Sequence, residues 1–380
     1  MADTDIADGQ DRNAAFRAFQ TYRATTRFGS LDGLRCLSIL AVLWHHSPLT
    51  PAYLDDLQLA GRGFAGVDFF FVLSGFLITT LLLREETVKG SFSLRGFYTR
   101  RILRIVPVYF LVVTLAAAYF IGWKGQGKWA ELLPYYYLFL SNFLVGDIPL
   151  LDPTWSLAVE EQYYLIWPLI LLILPRRWIV PALLLAIALN VAGGAGALAR
   201  LGIEAFDIGI LHIALPTATY APILMGSLLA VIMHTPRGFA AVHAICGPRP
   251  AAVLWMLAVL LSLQFLPFDL NGWPNLVLHM AMMLTLASLV VREDNGLFAV
   301  LGWGPVRRIG QVSYGIYLYH LFALHFATVG LAALGVVNGW AIFVCYTAVS
   351  VLIADLSFRL FETRFLALGR TEKRPQKKPG

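Results

Sequence analysis

Apolar positions fill this chain in runs of about 20 residues, the length an α-helix needs to cross the hydrocarbon core of a bilayer. Ten such runs are readable, at 33–50, 64–83, 104–122, 157–174, 178–197, 211–233, 251–268, 273–291, 311–333 and 338–359. They predict an all-α fold, a polytopic transmembrane helical bundle of about ten membrane-spanning helices. The Leu132–Val145 stretch, with Tyr135, Tyr136 and Tyr137, is too short to span upright and reads as an interfacial or re-entrant piece. Pro/Gly-rich stretches at 234–250 and 268–274 read as loops, and no internal repeat is visible. The expected organisation is a polar amino-terminal segment, 1–30, a transmembrane domain, 31–362, and a basic tail, 363–380.

Composition agrees with the pattern. The chain is 58% hydrophobic and 14% charged, with mean hydropathy +0.68, whereas soluble domains carry about 25% charged residues. Basic residues fix an orientation. With the amino terminus in the cytoplasm, only Arg62, Lys124, Lys128 and Arg200 fall outside, against 25 of the 29 Lys and Arg inside, the bias of positive-inside topology. Both termini are then cytoplasmic and the protein is integral to the cytoplasmic membrane. The net charge of +6 needs no nucleic-acid partner, because the tail Arg370, Lys373, Arg374, Lys377 and Lys378 suits anionic membrane lipid. Residues 1–27 are polar and mixed in charge, unlike a cleaved secretory signal. Cys36, Cys246 and Cys345 lie far apart without CxxC spacing, so neither a disulfide framework nor a metal site is expected.

The polar groups inside the apolar runs carry the functional information, because ionisable side chains at membrane depth persist where they face a cavity or a partner. Leu31–His46 holds Asp32, Arg35, His45 and His46. Arg35 and His46 are almost three helical turns apart, so they project from one face, about 16 Å apart along the axis. His45 points about 100° away. Arg35 is placed near the cytoplasmic boundary and His46 in the outer half. In the second run, Asp68 suits a helix amino end, where the dipole favours an acid, and Ser74-Gly75 suits close helix contact or a polar lining.

Arg100, Arg101 and Arg104 stand immediately before the third run, with Arg100 and Arg104, and Arg101 and Arg104, at helical neighbour spacing. They serve as topology signals or, because guanidinium forks match phosphate oxygens, as a cytosolic site for a phosphorylated ligand. Trp155-Ser-Leu-Ala-Val-Glu160-Glu161-Gln-Tyr-Tyr places two adjacent carboxylates inside the fourth run. They project about 100° apart, so at most one enters a given cavity. In the ninth run Ser313, Tyr317 and His320 form one helical stripe. His279 and His325 lack such company and read as satisfied or interfacial histidines.

From about Phe28 to Glu362 these segments resemble the acyltransferase-3 family of integral membrane proteins, which decorate sugars, cell-envelope polymers and antibiotics. The matching features are Arg35 with His46, Gly66-Val-Asp68-Phe-Phe-Phe-Val-Leu-Ser74-Gly75-Phe-Leu-Ile, Arg101 with Arg104, the Trp155–Tyr164 signature, and Ser313-Tyr314 with Tyr317 and His320. His45 beside His46 departs slightly from the family pattern, and the appended hydrolase-like domain of some members is not expected.

The resemblance implies acyl-CoA, acetyl-CoA by default, as donor substrate. A hydroxyl of a sugar, glycoside, macrolide-like antibiotic or cell-envelope acceptor would receive the acyl group. Neutral imidazole is suited to take the hydroxyl proton, and His46 is expected in that role, with Glu160 orienting it. Tyr317, His320 or Arg35 would stabilise the oxyanion. Arg101 and Arg104, with Arg100 and Ser74 beside them, would hold the donor. No metal is expected. The alternative reading is a proton-coupled transporter or exporter, against which the Arg101/Arg104 cluster and the missing repeat count.

Overall fold

The computed structural model describes residues 14–50, 57–144, 146–202, 206–213, 220–267 and 270–371. Arg12 and the tail positions Lys373, Arg374, Lys377 and Lys378 lie outside them. Every expected run holds a helix. These are α1 (Gly29–His45), α2 (Ala65–Lys89), α3 (Leu94–Ala117), α4 (Thr154–Ile173) and α5 (Arg176–Gly194). There follow α6 (Ala221–Met233), α7 (Pro236–Cys246), α8 (Ala251–Phe265), α9 (Trp273–Val291) and α10 (Gly304–Gln311). Then come α11 (Ser313–Ala333) and α12 (Gly339–Ser357), followed by a π turn, Phe358–Glu362, and a short helix, Thr363–Thr371.

Among the described residues seven helices are long and apolar enough to cross a membrane: α2, α3 with its π-helical extension to Trp123, α4, α5, α9, α11 and α12 with its continuation. The protein is a membrane-embedded helical bundle. Helices α1, α6 and α8, with 17, 13 and 15 residues, are shorter than a full span. The run expected at 211–233 becomes helical only from Ala221, with a proline in its first turn, where the missing N–H costs nothing. Before it, Leu211–Ile213 (β2) pairs antiparallel with Phe206–Ile208 (β1) in one short hairpin.

The stretch 234–250, expected as a loop, contains α7. Thr235 caps it by accepting the Gly238 N–H at 3.1 Å, and Phe239 and Cys246 are buried on its inner face. Proline here starts a helix rather than forbidding one. Helices α6 and α7 meet at 115°. The Leu132–Val145 stretch is not a spanning helix: it holds a 3₁₀ turn, a five-residue helix and a second 3₁₀ turn. Tyr109 donates to the Tyr136 carbonyl at 3.0 Å, and Gln162 to that of Phe139 at 2.9 Å, folding the segment against α3 and α4.

Helix α2 is the centre of the bundle, with 72% of its apolar window buried against 22% for α5 and for α12. Its tightest partner is α6. A methyl group on Gly75 would collide with the Ile223 carbonyl, and one on Gly226 with that of Val72. Small residues thus bring the two backbones into contact, the packing that membrane helices use where lipid removes the hydrophobic drive to associate. Between these glycines, Thr79 donates to Ser227 at 2.9 Å. At the end of α8, buried Arg62 donates to the carbonyls of Leu263, Leu266 and Pro267 at 2.7–3.0 Å.

Gly226→Val should separate α2 from α6 and lower stability by more than the roughly 1–3 kcal/mol of ordinary overpacking. The check is thermal unfolding in detergent. A variant melting with the native protein would show that this crossing carries no packing constraint.

Candidate active site

Three arginines from two helices converge on one region. On α1, Arg35 Nη1 lies 3.0 Å from Asp32 Oδ1, and Asp32 also accepts from Arg27 at 2.8 Å and Gln311 at 3.2 Å. On α3, capped by Ser93, Arg101 stands over the Tyr164 ring at 5.2 Å. The charges of Arg35, Arg101 and Arg104 act on one another, with Tyr164 in common. Arg104 remains accessible although it lies in this cluster.

Carboxylates and hydroxyls surround the arginines. The polar neighbours of Glu160 are Ser74, Tyr164, Arg101 and Arg104. Ser74 and Tyr164 share a short hydroxyl–hydroxyl hydrogen bond. Glu161 lies within reach of Glu160 and Arg101. Glu362 comes from the π turn Phe358–Glu362, is 8% exposed, accepts from Ser357 at 3.3 Å and acts on Arg104. Arg100 does not join the cluster. It turns to Glu85, 3.4 Å away.

From the arginines a polar file runs up α4 and α11. Tyr164, Glu160 and Ser156 are successive four-residue steps, one face of α4 covering about 12 Å. The Tyr317 hydroxyl donates to the Pro153 carbonyl at 2.9 Å and meets the Ser156 hydroxyl at 2.7 Å. Its proton is therefore engaged at the start of α4. Glu160 and Asp152 act on Tyr317 from either side.

The file ends at two imidazoles. His46 is the residue that closes α1, just past the helical run, and its Nδ1 lies 3.0 Å from the Val42 carbonyl. His320 is fully buried, with Nδ1 2.6 Å from the Tyr317 carbonyl. The two ring centroids are 4.8 Å apart at 64°, and His45 stands 5.1 Å from His46 at right angles. Carbonyl oxygens only accept, so both Nδ1 atoms carry hydrogen and each Nε2 presents a lone pair when the ring is neutral.

The structure thus brings Arg35, Arg101, Arg104, Ser74 and Glu160 together at one end and His46, His320 and Tyr317 at the other. Glu160 sits among the arginines; the contact that holds the His46 imidazole is the Val42 carbonyl. Among the described residues no group of three His, Cys, Asp or Glu side chains is placed to hold a metal ion.

Two groups escaped sequence reasoning. His279, expected to stand alone, is 1% exposed and lies 3.4 Å from the Asp68 carboxylate. Asp68 lies in the first turn of α2, and the charged group it approaches is on α9. Two ionisable residues at matching depth on different runs were the available signal. Glu362 gave none, because it lies at the edge of the apolar pattern.

A family model described as an acyltransferase domain matches residues 28–359. The peptidoglycan O-acetyltransferase OatA of Listeria monocytogenes is 28% identical over 372 residues, 90% of this chain and 57% of that protein. The putative peptidoglycan O-acetyltransferase YrhL of Bacillus subtilis is 29% identical, over 87% of this chain and 54% of its own length. A putative O-acetyltransferase of Staphylococcus aureus (strain COL) is 24% identical, over 92% and 59%. The chain therefore spans somewhat more than half the length of these relatives. No solved structure matches it.

A double-mutant cycle on Asp68→Asn and His279→Leu should give a coupling of at least about 0.5 kcal/mol in stability, as contacting groups do. Thermal unfolding of the four proteins is the measurement. Additive losses would mean that the pair is a close approach without an interaction.

Proposed function

The chain belongs to the acyltransferase-3 family, and from that premise we propose that it moves an acetyl group from acetyl-CoA to a hydroxyl of a cell-envelope glycan. The observation that carries this reading is the polar file, with phosphate-binding chemistry at one end and a pair of free imidazole nitrogens at the other. The names of the relatives support the acetyl group and the glycan.

The donor is held by its phosphates at Arg35, Arg101 and Arg104. Guanidiniums offer forked donors that match phosphate oxygens, and charge-assisted bonds are about twice as strong as neutral ones. Glu160 and Glu362 stand beside these cations. Arg35, about 16 Å from His46 along α1, belongs to the donor end and not to the reacting carbonyl. The acyl arm lies along the Tyr164–Ser156 face toward His46. The basic bias of the loops supports an orientation in which the arginine end faces the cytoplasm, where the donor is made, and His46 faces outward, where an envelope glycan enters.

At that end His46 Nε2 takes the proton of the acceptor hydroxyl, whose oxygen attacks the thioester carbonyl. The carbon–oxygen bond forms, the carbon–sulfur bond breaks, and the thiolate recovers the proton from His46. Direct transfer suits the place of Ser74, which lies at the arginine end with Tyr164 and Glu160 rather than beside His46.

Purified protein in nanodiscs, given acetyl-CoA and solubilised glycan strands, should transfer acetyl. His46→Ala should abolish transfer while retaining CoA affinity. Arg101→Gln with Arg104→Gln should weaken CoA binding by about 10- to 100-fold per lost contact, from roughly 1.5–3 kcal/mol each. Calorimetry with free CoA separates the two ends. Unchanged CoA affinity in the folded arginine variant would return those residues to topology signals, and transfer by His46→Ala would remove the base.

A further inference from the structure

His320 is a member of the polar file whose chemistry the transfer reaction does not use. It is fully buried, its Nδ1 hydrogen is spent on the Tyr317 carbonyl, and its Nε2 has no hydrogen-bond partner among the described residues. A buried acceptor without a donor is unfavourable and calls for an explanation. The nearest ring is that of His46, 4.8 Å away between centroids.

We propose that His320 is the positioning partner of His46, its free Nε2 accepting a hydrogen bond from the imidazolium that forms when His46 takes the acceptor proton. The inference rests on the reaction proposed above. In that reaction His46 Nε2 gains a hydrogen when the hydroxyl O–H breaks and loses it to the departing thiolate. Between the two transfers the N–H is shared with His320 Nε2. No net proton stays on either ring, and the products are the acetyl ester and free CoA thiol.

The surroundings fit this division of labour. His320 faces the His46 ring, while Asp152 acts on His45 and Tyr317, and Glu160 on Tyr317. A carboxylate against His46 would hold the imidazole protonated at rest, when a base must be neutral. A neutral imidazole accepts the hydrogen only after transfer. Burial keeps His320 neutral, because a second charge beside an imidazolium in a dry site is strongly disfavoured. Its Nδ1 bond to the Tyr317 carbonyl fixes the ring and the tautomer.

The test compares kcat and KM across pH for the native protein, His320→Leu and His320→Gln, with His46→Ala as control, using acetyl-CoA and glycan strands. His320→Leu removes the acceptor and should lower kcat by about 10- to 100-fold while KM for acetyl-CoA stays within about twofold. Losing stabilisation of the protonated form, its acid limb of kcat should move to lower pH. His320→Gln keeps an acceptor oxygen near the Nε2 position and should recover part of both effects. A limb that stays in place, or moves to higher pH, overturns the inference, as does a loss confined to KM. Should His320→Leu not fold, His320→Gln decides by the same limb, through a smaller shift in the same direction. Inactive His46→Ala with an unmoved limb removes His320 alone; active His46→Ala removes the reaction on which it rests.

Discussion

An arginine side chain inside a lipid-embedded bundle must be solvated by something other than lipid, and much of this structure follows from meeting that demand three times. Arg35, Arg101 and Arg104 are brought to one region by α1 and α3. The groups that answer them come from five places: Asp32 on α1, Ser74 on α2, Glu160 and Tyr164 on α4, Gln311 through Asp32 from α10, and Glu362 from the turn after α12. Chain ends distant in sequence are therefore tied to one charge cluster. The close crossing of α2 with α6 places Ser74 there, since Gly75 is the residue in backbone contact. Removing one partner of such a set leaves an uncompensated charge, which is far more damaging than replacing the set would be.

The same demand shapes the chemistry at the far end. There each Nδ1, of His46 and of His320, is held by a main-chain carbonyl, of Val42 or Tyr317, instead of a carboxylate. A base at membrane depth has to be neutral when the substrate arrives. On the proposed reading, the arginine charges lie where a phosphorylated donor would bind, and the main-chain contacts lie where a proton would move. Tyr317 and Ser156 join the two regions and, through the Pro153 carbonyl, fix the first turn of α4.

What was legible in the sequence was what helix periodicity carries by itself. The stripe Ser313–Tyr317–His320, buried along α11, needs only 3.6 residues per turn, and the positions of the helices need only the length of the apolar runs. Whatever depended on a second helix was not. The spacing of Glu160 and Glu161 sets them about 100° apart on the helix, yet nothing local says that Glu160 meets arginines from α3 rather than the ring of His46, or that Glu161 also comes within reach of Arg101. Arg100 and Arg101 look equivalent until Glu85 on α2 claims the first. His279 looked solitary because Asp68 is two hundred residues away. Helix α7 was hidden because Pro236 and Gly238 read as breakers, although a proline in the first turn and a threonine cap are how a helix starts.

The central claim is that donor and acceptor meet from opposite ends of one polar file across the bilayer. Sealed proteoliposomes of uniform orientation test it directly, with acetyl-CoA confined to one side and glycan strands to the other. Acetylated glycan should form only when acetyl-CoA is on the side of Arg101 and Arg104 and the glycan is on the side of His46. Product formed only when both substrates share one side would contradict the account.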